Sequence, residues 1–474
     1  MSTQRSTKSK GSRPSVADPS LRIANPHAAG IDVHARVHWV CVPASSVPSR
    51  TPDQPANLPA NVRAFGTCTP DLEQLADWLL TCGVTTIAME ATGVYWIALF
   101  ELLERRGFQV ILVDPRQTRQ VSGRPQSDVL SCQWIQRLHS YGLLSASFRP
   151  DDQTCVLRGY LRQRQLLIAD AGRSTQHMQK ALEQMNVKLA ETISDITGVT
   201  GMLILKAIVR GTRDPQELAK YRNEHCKCTP AEMARALQGN WREEHLFALR
   251  QALKTYEHLR RQLAECDHCI KKYLQTLEDR SGGEVLPKRI LRRSSKATEP
   301  KFDVRRLLFR WSGQDLTVIE GIDDSTALNV LAEIGIDMSK WPTENHFVSW
   351  LGLCPQHRGS AGRIKNRRLR GGANRAARAF RLAAQGCHHA HNALGAFYRR
   401  VQARAGGGKA VIATARKIAC RVYRLLKYGE KYVRLEMAAY EAQFQIKRMK
   451  GLAKKAASLG YKLVPLAQSQ GEPA

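Results

Sequence analysis

Two stretches of seven-residue periodicity constrain this chain more than any other feature. Leu161, Ile168, Thr175, Leu182 and Leu189 recur at every seventh position. Leu157, Ala171, Met178 and Met185 fill much of the complementary seam, which Arg164 interrupts. A second series runs Leu249, Tyr256, Leu263, Ile270 and Leu277, with Leu246, Leu253 and Leu274 beside it. A helix with apolar residues at that spacing carries a stripe that it must bury against another helix. Residues 151–280 are therefore expected to form long helices pairing as a coiled coil, within one chain or between two. A plain antiparallel hairpin on a monomer is the alternative. The oligomerising hairpin, giving a homo-oligomer (dimer or tetramer), is preferred.

Upstream the period changes. AAGIDVHARVHWVCVPA (28–44) alternates loosely and is rich in Val, as a hairpin would be. After a Pro-rich connection at 47–59, TPDLEQLADWLLTCG (69–83) has helical spacing with Thr69 as its cap. VTTIAME (84–90) predicts a short buried strand, and ATGVYWIALFELLERRG (91–107) a helix ending in Gly. FQVILVDP (108–115) predicts a strand closed by Pro, and SDVLSCQWIQRLHSYGLL (127–144) a helix. Strands alternating with helices imply a sheet with helices on its faces, so 28–150 reads as an α/β domain.

The formal net charge of +30 points to a polyanionic partner, nucleic acid first. No stretch approaches 18 uninterrupted apolar residues, so no membrane partner is expected. The basic, polar start MSTQRSTKSKGSRPS has no apolar core; 1–27 is expected to be a disordered basic arm rather than a secretory signal. The 12 cysteines are mostly scattered, as in a reducing cytosol. Cys226/Cys228 and Cys266/Cys269 have spacings that zinc uses. The second pair falls inside a helical pattern without a flanking glycine turn, so ordinary helix surface or core is the preferred reading.

SGGEVLPKRILRRSSKATEP interrupts the helices, and 281–304 reads as a basic linker. A mostly helical unit is expected over 305–445, followed by a frayed basic tail over 446–474. Within it, LTVIEGIDDSTALNVLAEIGI (316–336) suggests a helix-hairpin-helix-like element, although Asp323 stands where a second glycine would ease the turn. Next, HRGSAGRIKNRRLRGGANRAARAFR (357–381) carries nine Lys/Arg and no acid. It reads either as a solvated basic face or as a phosphate cradle whose glycines admit close backbone approach. Ser360 sits at its centre, where neighbouring cations would stabilise an attacking alkoxide.

Three acids fall at informative places: Asp32 in the first strand, Glu90 ending a strand, and Asp128 opening a helix. Carboxylates so placed can converge above a sheet and hold Mg²⁺. Singly, each has a plain reading: a solvated hairpin residue, a helix cap, a first-turn acid. In so basic a chain the metal reading gains, because phosphoryl transfer needs an acidic cluster within a basic surface.

These residues also carry a resemblance. GIDVH, MEATGVYW and SDVLSCQWIQRLHSYGLL, then IEGIDDSTALNVLAEIG, SWLGLCP, RGSAGRIKNRRLRGGANRAARAFRLAA and GKAVIATARKIACRVYRLL resemble the insertion sequence 110 family of transposases, especially its 1111 subgroup. The resemblance implies an α/β RuvC-like (ribonuclease-H-type) N-terminal domain with four acids in Asp-Glu-Asp-Asp order. Asp32, Glu90 and Asp128 match the first three as catalytic metal ligands. It also implies a mostly α C-terminal transposase domain whose nucleophilic serine falls on Ser360. It implies a Mg²⁺-assisted DNA transposase of a bacterial, cytoplasmic, nucleoid-associated kind. Metal-bound acids of one subunit would act near the serine of another, and some members are directed by a guide RNA from the same element. Arg358, Arg363, Lys365, Arg367, Arg368, Arg370 and Arg375 are the expected nucleic-acid-binding residues. The departure is Ser131, which stands where the family has its fourth acid. A neutral hydroxyl is a weak Mg²⁺ ligand, so activity is expected to be impaired. The rivals are a RuvC-like metal-dependent nuclease and a catalytically inert nucleic-acid-binding derivative.

Overall fold

Every residue of Ala28–Val33 is buried, as in a strand covered on both faces. It forms β1, the middle strand of a five-stranded sheet. The computed structural model describes residues 22–47, 58–120, 127–287, 298–355, 358–360, 363–366 and 374–463. The chain divides into two compact units between Arg149 and Pro150.

The first unit's sheet runs β3-β2-β1-β4-β5, with β2 at His38–Cys41, β3 at Val62–Phe65, β4 at Thr86–Glu90 and β5 at Gln109–Val113. The first three strands are antiparallel neighbours, whereas β4 and β5 run parallel to β1. The expected hairpin and both later strands are present. A mixed sheet of this kind is consistent with a ribonuclease-H-type domain.

Alternation sends successive residues of β1 to opposite faces. Ile31 and Val33, with Ile87 and Met89 of β4, pack under helices α1 (Thr69–Thr81) and α2 (Trp96–Arg105) through Leu75, Leu79, Leu99 and Leu103. Those four leucines are fully buried, each contributing about 1.5–3 kcal/mol. After α3 (Pro115–Gln120), helix α4 (Asp128–Ser140) covers the other face. There Cys132 meets Cys41 and Val62, and Ile135 meets Ala88 and Val113.

Two boundaries differ from expectation. The cap of α1 is Cys68 rather than Thr69: the Cys68 N–H donates to Asp71 Oδ2 at 3.1 Å. Pro70 already suits the first turn, so Thr69 lies inside the helix. Helix α2 begins at Trp96 rather than near 91, because Gly93 at φ +55° places a turn before it.

In the second unit the two heptad stretches become α5 (Asp152–Gln184) and α10 (Glu243–Thr276). They lie antiparallel within one chain. Tyr160 packs on Tyr273, Arg164 pairs with Asp267, and Met178 and Ala181 share a core with Leu249 and Leu253. The interruption at Arg164 is thus a buried ion pair: its Nε lies 2.5 Å from Asp267 Oδ1, and its Nη2 donates to the Thr298 carbonyl at 2.8 Å. Between the long helices lie α6 (Leu189–Thr192), α7 (Val199–Arg210), α8 (Pro215–Ala219) and α9 (Pro230–Ala236). Cys226 and Cys228 pack beside this core, Cys266 donates to the Tyr160 carbonyl, and all 12 cysteines are free.

Beyond 298 come α11 (Val304–Ser312), α12 (Asp324–Ile334) and α13 (Glu344–Trp350). A two-stranded sheet follows, of β6 (Arg358–Ser360) and β7 (Arg363–Asn366). Helices α14 (Arg375–Gly386), α15 (Ala393–Ala405), α16 (Gly407–Tyr428) and α17 (Glu430–Ser458) complete the unit. The expected helical pair over 316–336 is instead a single 3-10 turn, Leu316–Val318, leading into α12. Asp323 caps that helix by accepting from the Thr326 N–H at 2.7 Å. Gly321, at φ +86°, sits where a Cβ would lie 2.9 Å from the Ala383 carbonyl oxygen. The tail expected from 446 continues as helix to Ser458. No described helix is long and apolar enough to cross a membrane.

Candidate metal centre and basic hairpin

The placement of α4 begins at Gly30. A Cβ there would lie 2.2 Å from the Gln136 backbone nitrogen and 2.5 Å from the Cys132 carbonyl oxygen. Only glycine lets the helix backbone rest directly on β1. Gln136 Nε2 adds a hydrogen bond to the Ala28 carbonyl at 3.2 Å. Ser127 caps the helix by accepting from the Leu130 N–H. This packing brings the first turn of α4, with Asp128, over the end of β1.

At that end stands Asp32, 6% exposed, on the face turned towards α4. Two residues on, and so on the same side of the strand's continuation, is His34. Its Nε2 lies 3.3 Å from Asp32 Oδ2 and 3.5 Å from Asp128 Oδ1. That nitrogen is buried and makes no hydrogen bond of good geometry. Single donor atoms of Asp32, His34 and Asp128 all lie within 4.8 Å of one another. Donors opposite each other around a divalent cation stand about 4–5 Å apart, so the set fits one. The solvent-shielded nitrogen between two carboxylates suits a shared cation or, when the imidazole is protonated, a pair of ion pairs. Asp128 remains exposed, which leaves one side open.

Glu90 is 3% exposed at the end of β4. Ile31 pairs with Met89 in the parallel ladder. The next residues along, Asp32 and Glu90, therefore share a face. Glu90 lies outside the three-residue cluster. Ser131 is 7% exposed, one turn after Asp128, and on the buried side of α4. His38, on β2, is buried, and burial first, with the charge of His34 second, pushes its imidazole down to about 4.

Sequence reasoning missed His34. The signal was available, since GIDVH puts it at i+2 from Asp32. Read singly, though, it looked like any strand histidine.

The basic cluster takes a form not expected from its composition, a β-hairpin. Ser360 is the last residue of β6 and pairs in register with Arg363, the first of β7; Gly359 pairs with Ile364. Lys365 lies on β7 and Arg358 opens β6. Arg375 is the first residue of α14, and its Nη1 donates to Gln165 Oε1 at 2.9 Å. Arg367, Arg368 and Arg370 lie outside the described residues.

Residues 29–187, holding Asp32, His34, Glu90 and Asp128, match a family model for DEDD-type IS110 transposases, described as Transposase. Residues 313–399, holding Ser360, match a second, described as Transposase IS116/IS110/IS902 family. No curated protein matches the chain.

Proposed function

Since this chain belongs to the IS110 family of transposases, enzymes that act on DNA, we propose that it moves an insertion sequence by serine attack on a phosphodiester, assisted by a divalent metal held by the acids of the first unit. The observation that carries the metal half is the convergence of Asp32, His34 and Asp128. Asp32 and Asp128 would hold Mg²⁺ or a similar ion, with His34 Nε2 as a third donor and Glu90 on the adjoining strand. When bound, the cation supplies Lewis-acid polarisation of a phosphodiester oxygen.

The chain's own residues do the rest. Asp32 is buried and fixed by the sheet, so it orients the centre. Asp128 is exposed, so it faces incoming substrate. Ser360 supplies the nucleophile: its Oγ–P bond forms as the bond from phosphorus to one deoxyribose oxygen breaks, and its proton passes to water. Its position ending a strand, opposite Arg363, supports this reading. Arg358, Arg363, Lys365, Arg367, Arg368, Arg370 and Arg375 offset phosphate charge along the strand being handled. The resemblance extends the reading to a guide RNA from the same element and to assembly as dimers or tetramers.

Ser131 lowers the negative charge at the centre by one relative to a four-acid set, and His34 Nε2 would replace one carboxylate donor with an imidazole. The expected result is a functional but weaker Mg²⁺ site. The test is a denaturing-gel search for a covalent protein–DNA adduct with wild type, Ser360→Ala and Asp32→Asn. The adduct should form with wild type and vanish with both variants. Strand cutting by Ser360→Ala would replace serine attack with metal-activated water.

A further inference from the structure

Helices α15, α16 and α17, with Leu353 and Pro355, line a half-open cavity of about 1280 Å³ that shares no described residue with the acidic cluster. Among the described residues its wall carries six cationic side chains and one carboxylate, Glu436. Two of those cations are already matched: Arg421 pairs with Glu320, and Arg424 with Glu344 and Glu436. Arg416 donates to the neutral Asn345 Oδ1 at 3.0 Å. Arg404, Lys409 and Lys417 have no ion-paired carboxylate among the described residues. Lys417 stands 4.7 Å from the centre of the Phe397 ring and 4.6 Å from that of Tyr440. Burial, and next the charge of Arg421, lower its pKa. The cavity therefore combines surplus positive charge with an aromatic and aliphatic wall.

The glycines at its edge add an independent point. Helix α16 opens Gly407-Gly408-Lys409, after Gly406 at φ +89°. Gly406 needs glycine for its backbone. Gly407 and Gly408 do not, and nothing lies within 4 Å of a Cβ built on either. Bare backbone at a helix start, next to Lys409 and Arg404, suits close approach of a phosphate.

We propose that this cavity takes one unpaired nucleotide of a DNA strand. Its phosphate would rest against Gly407–Lys409 and Arg404, and its base would enter beside Phe397 and Tyr440. Duplex DNA hides its bases within the stack, so a pocket with an aromatic wall gains most from a strand that has been opened. This inference rests on the reading above that the chain acts on DNA.

The test uses the full chain and a single-stranded oligonucleotide carrying 2-aminopurine, alongside its duplex and the matching RNA strand. Arg404→Ala/Lys409→Ala removes two exposed charges. Ala413→Phe fills the wall at constant charge. The expected result is a 2-aminopurine fluorescence change with wild type and at least a tenfold loss of single-strand affinity in each variant. The salt slope of the double variant should be shallower by about one, and duplex affinity should hold within twofold. Equal loss for single strand and duplex in the double variant would reduce the cavity to general basic surface. Wild-type single-strand binding by Ala413→Phe, with unchanged melting, would empty it of a base. Tighter capture of the RNA strand would overturn the assignment to DNA.

Discussion

Gly30→Ala is the sharpest test of how the fold builds the metal centre. One methyl group placed on β1 would meet the Gln136 nitrogen at 2.2 Å, the Cys132 carbonyl oxygen at 2.5 Å and the Gln136 Cα at 2.7 Å. All three are backbone atoms, so no rotamer change relieves them. An ordinary contact needs about 3.5 Å, so α4 must retreat by roughly 1 Å. That retreat loosens Cys132 from Cys41 and Val62, and Ile135 from Ala88 and Val113. Overpacking of this kind costs about 3 kcal/mol. For a unit of this size the melting temperature should fall by about 6–12 °C. The same displacement carries Asp128 away from Asp32 and His34, so Mn²⁺ affinity should fall as well. Calorimetry and Mn²⁺ titration of the full chain, with hydrogen exchange on α4, read both effects. Gly159→Ala is the control: nothing lies within 4 Å of its Cβ position on α5, and it should be neutral or stabilising by up to ~1 kcal/mol. If Gly30→Ala melts and binds Mn²⁺ as wild type does, the close seating of α4 on β1 is wrong.

Four further outcomes follow from the same reasoning. Ser131→Asp should tighten divalent-cation binding roughly tenfold, about 1.4 kcal/mol. His34→Ala should weaken Ni²⁺ more than Mg²⁺, because imidazole suits the softer ion; calorimetric titrations showing no change in the first, or equal losses in the second, would remove Ser131 and His34 respectively from the centre. Arg164→Met strands Asp267 in the helix interface and should cost about 3–5 kcal/mol, while Arg164→Met/Asp267→Leu should recover most of it in chemical denaturation; a double variant no better than the single one contradicts the buried pair. Burial pushes the Asp315 carboxyl up, but hydrogen bonds from Arg305 and Thr317 outweigh it and hold the group below the usual carboxylate range. Its stabilising contribution is therefore full above about pH 4 and lost as pH falls through the lower folded value, so Asp315→Asn should flatten the acid limb of the stability profile, and an unaltered limb would count against it.

The first unit was legible because its strands are short apolar runs between turn signals and α1, α2 and α4 carry 3.6-residue spacing. Boundaries were less so: Thr69 and Cys68 both stand before the helix pattern, and only backbone geometry separates cap from first turn. The β6–β7 hairpin was not legible, since Arg, Gly, Ser and Lys are poor strand formers and pair only in tertiary context. Arg164 looked like a flaw in a seam because its partner lies 103 residues away. For the site, Asp32 and Asp128 announced themselves as acids at element ends. His34 gains meaning only once α4 brings Asp128 to it.

The antiparallel pairing of α5 and α10 has a consequence for how copies of this chain can associate. The seam closes within one chain, so each copy reaches solution with that stripe already covered. Two copies could share it only by trading arms, α10 of one lying on α5 of the other across the connection 185–242. Trading requires the seam to part first. Its rate would follow unfolding rather than diffusion, and dimers made that way would outlast dilution for as long as the helices stay closed.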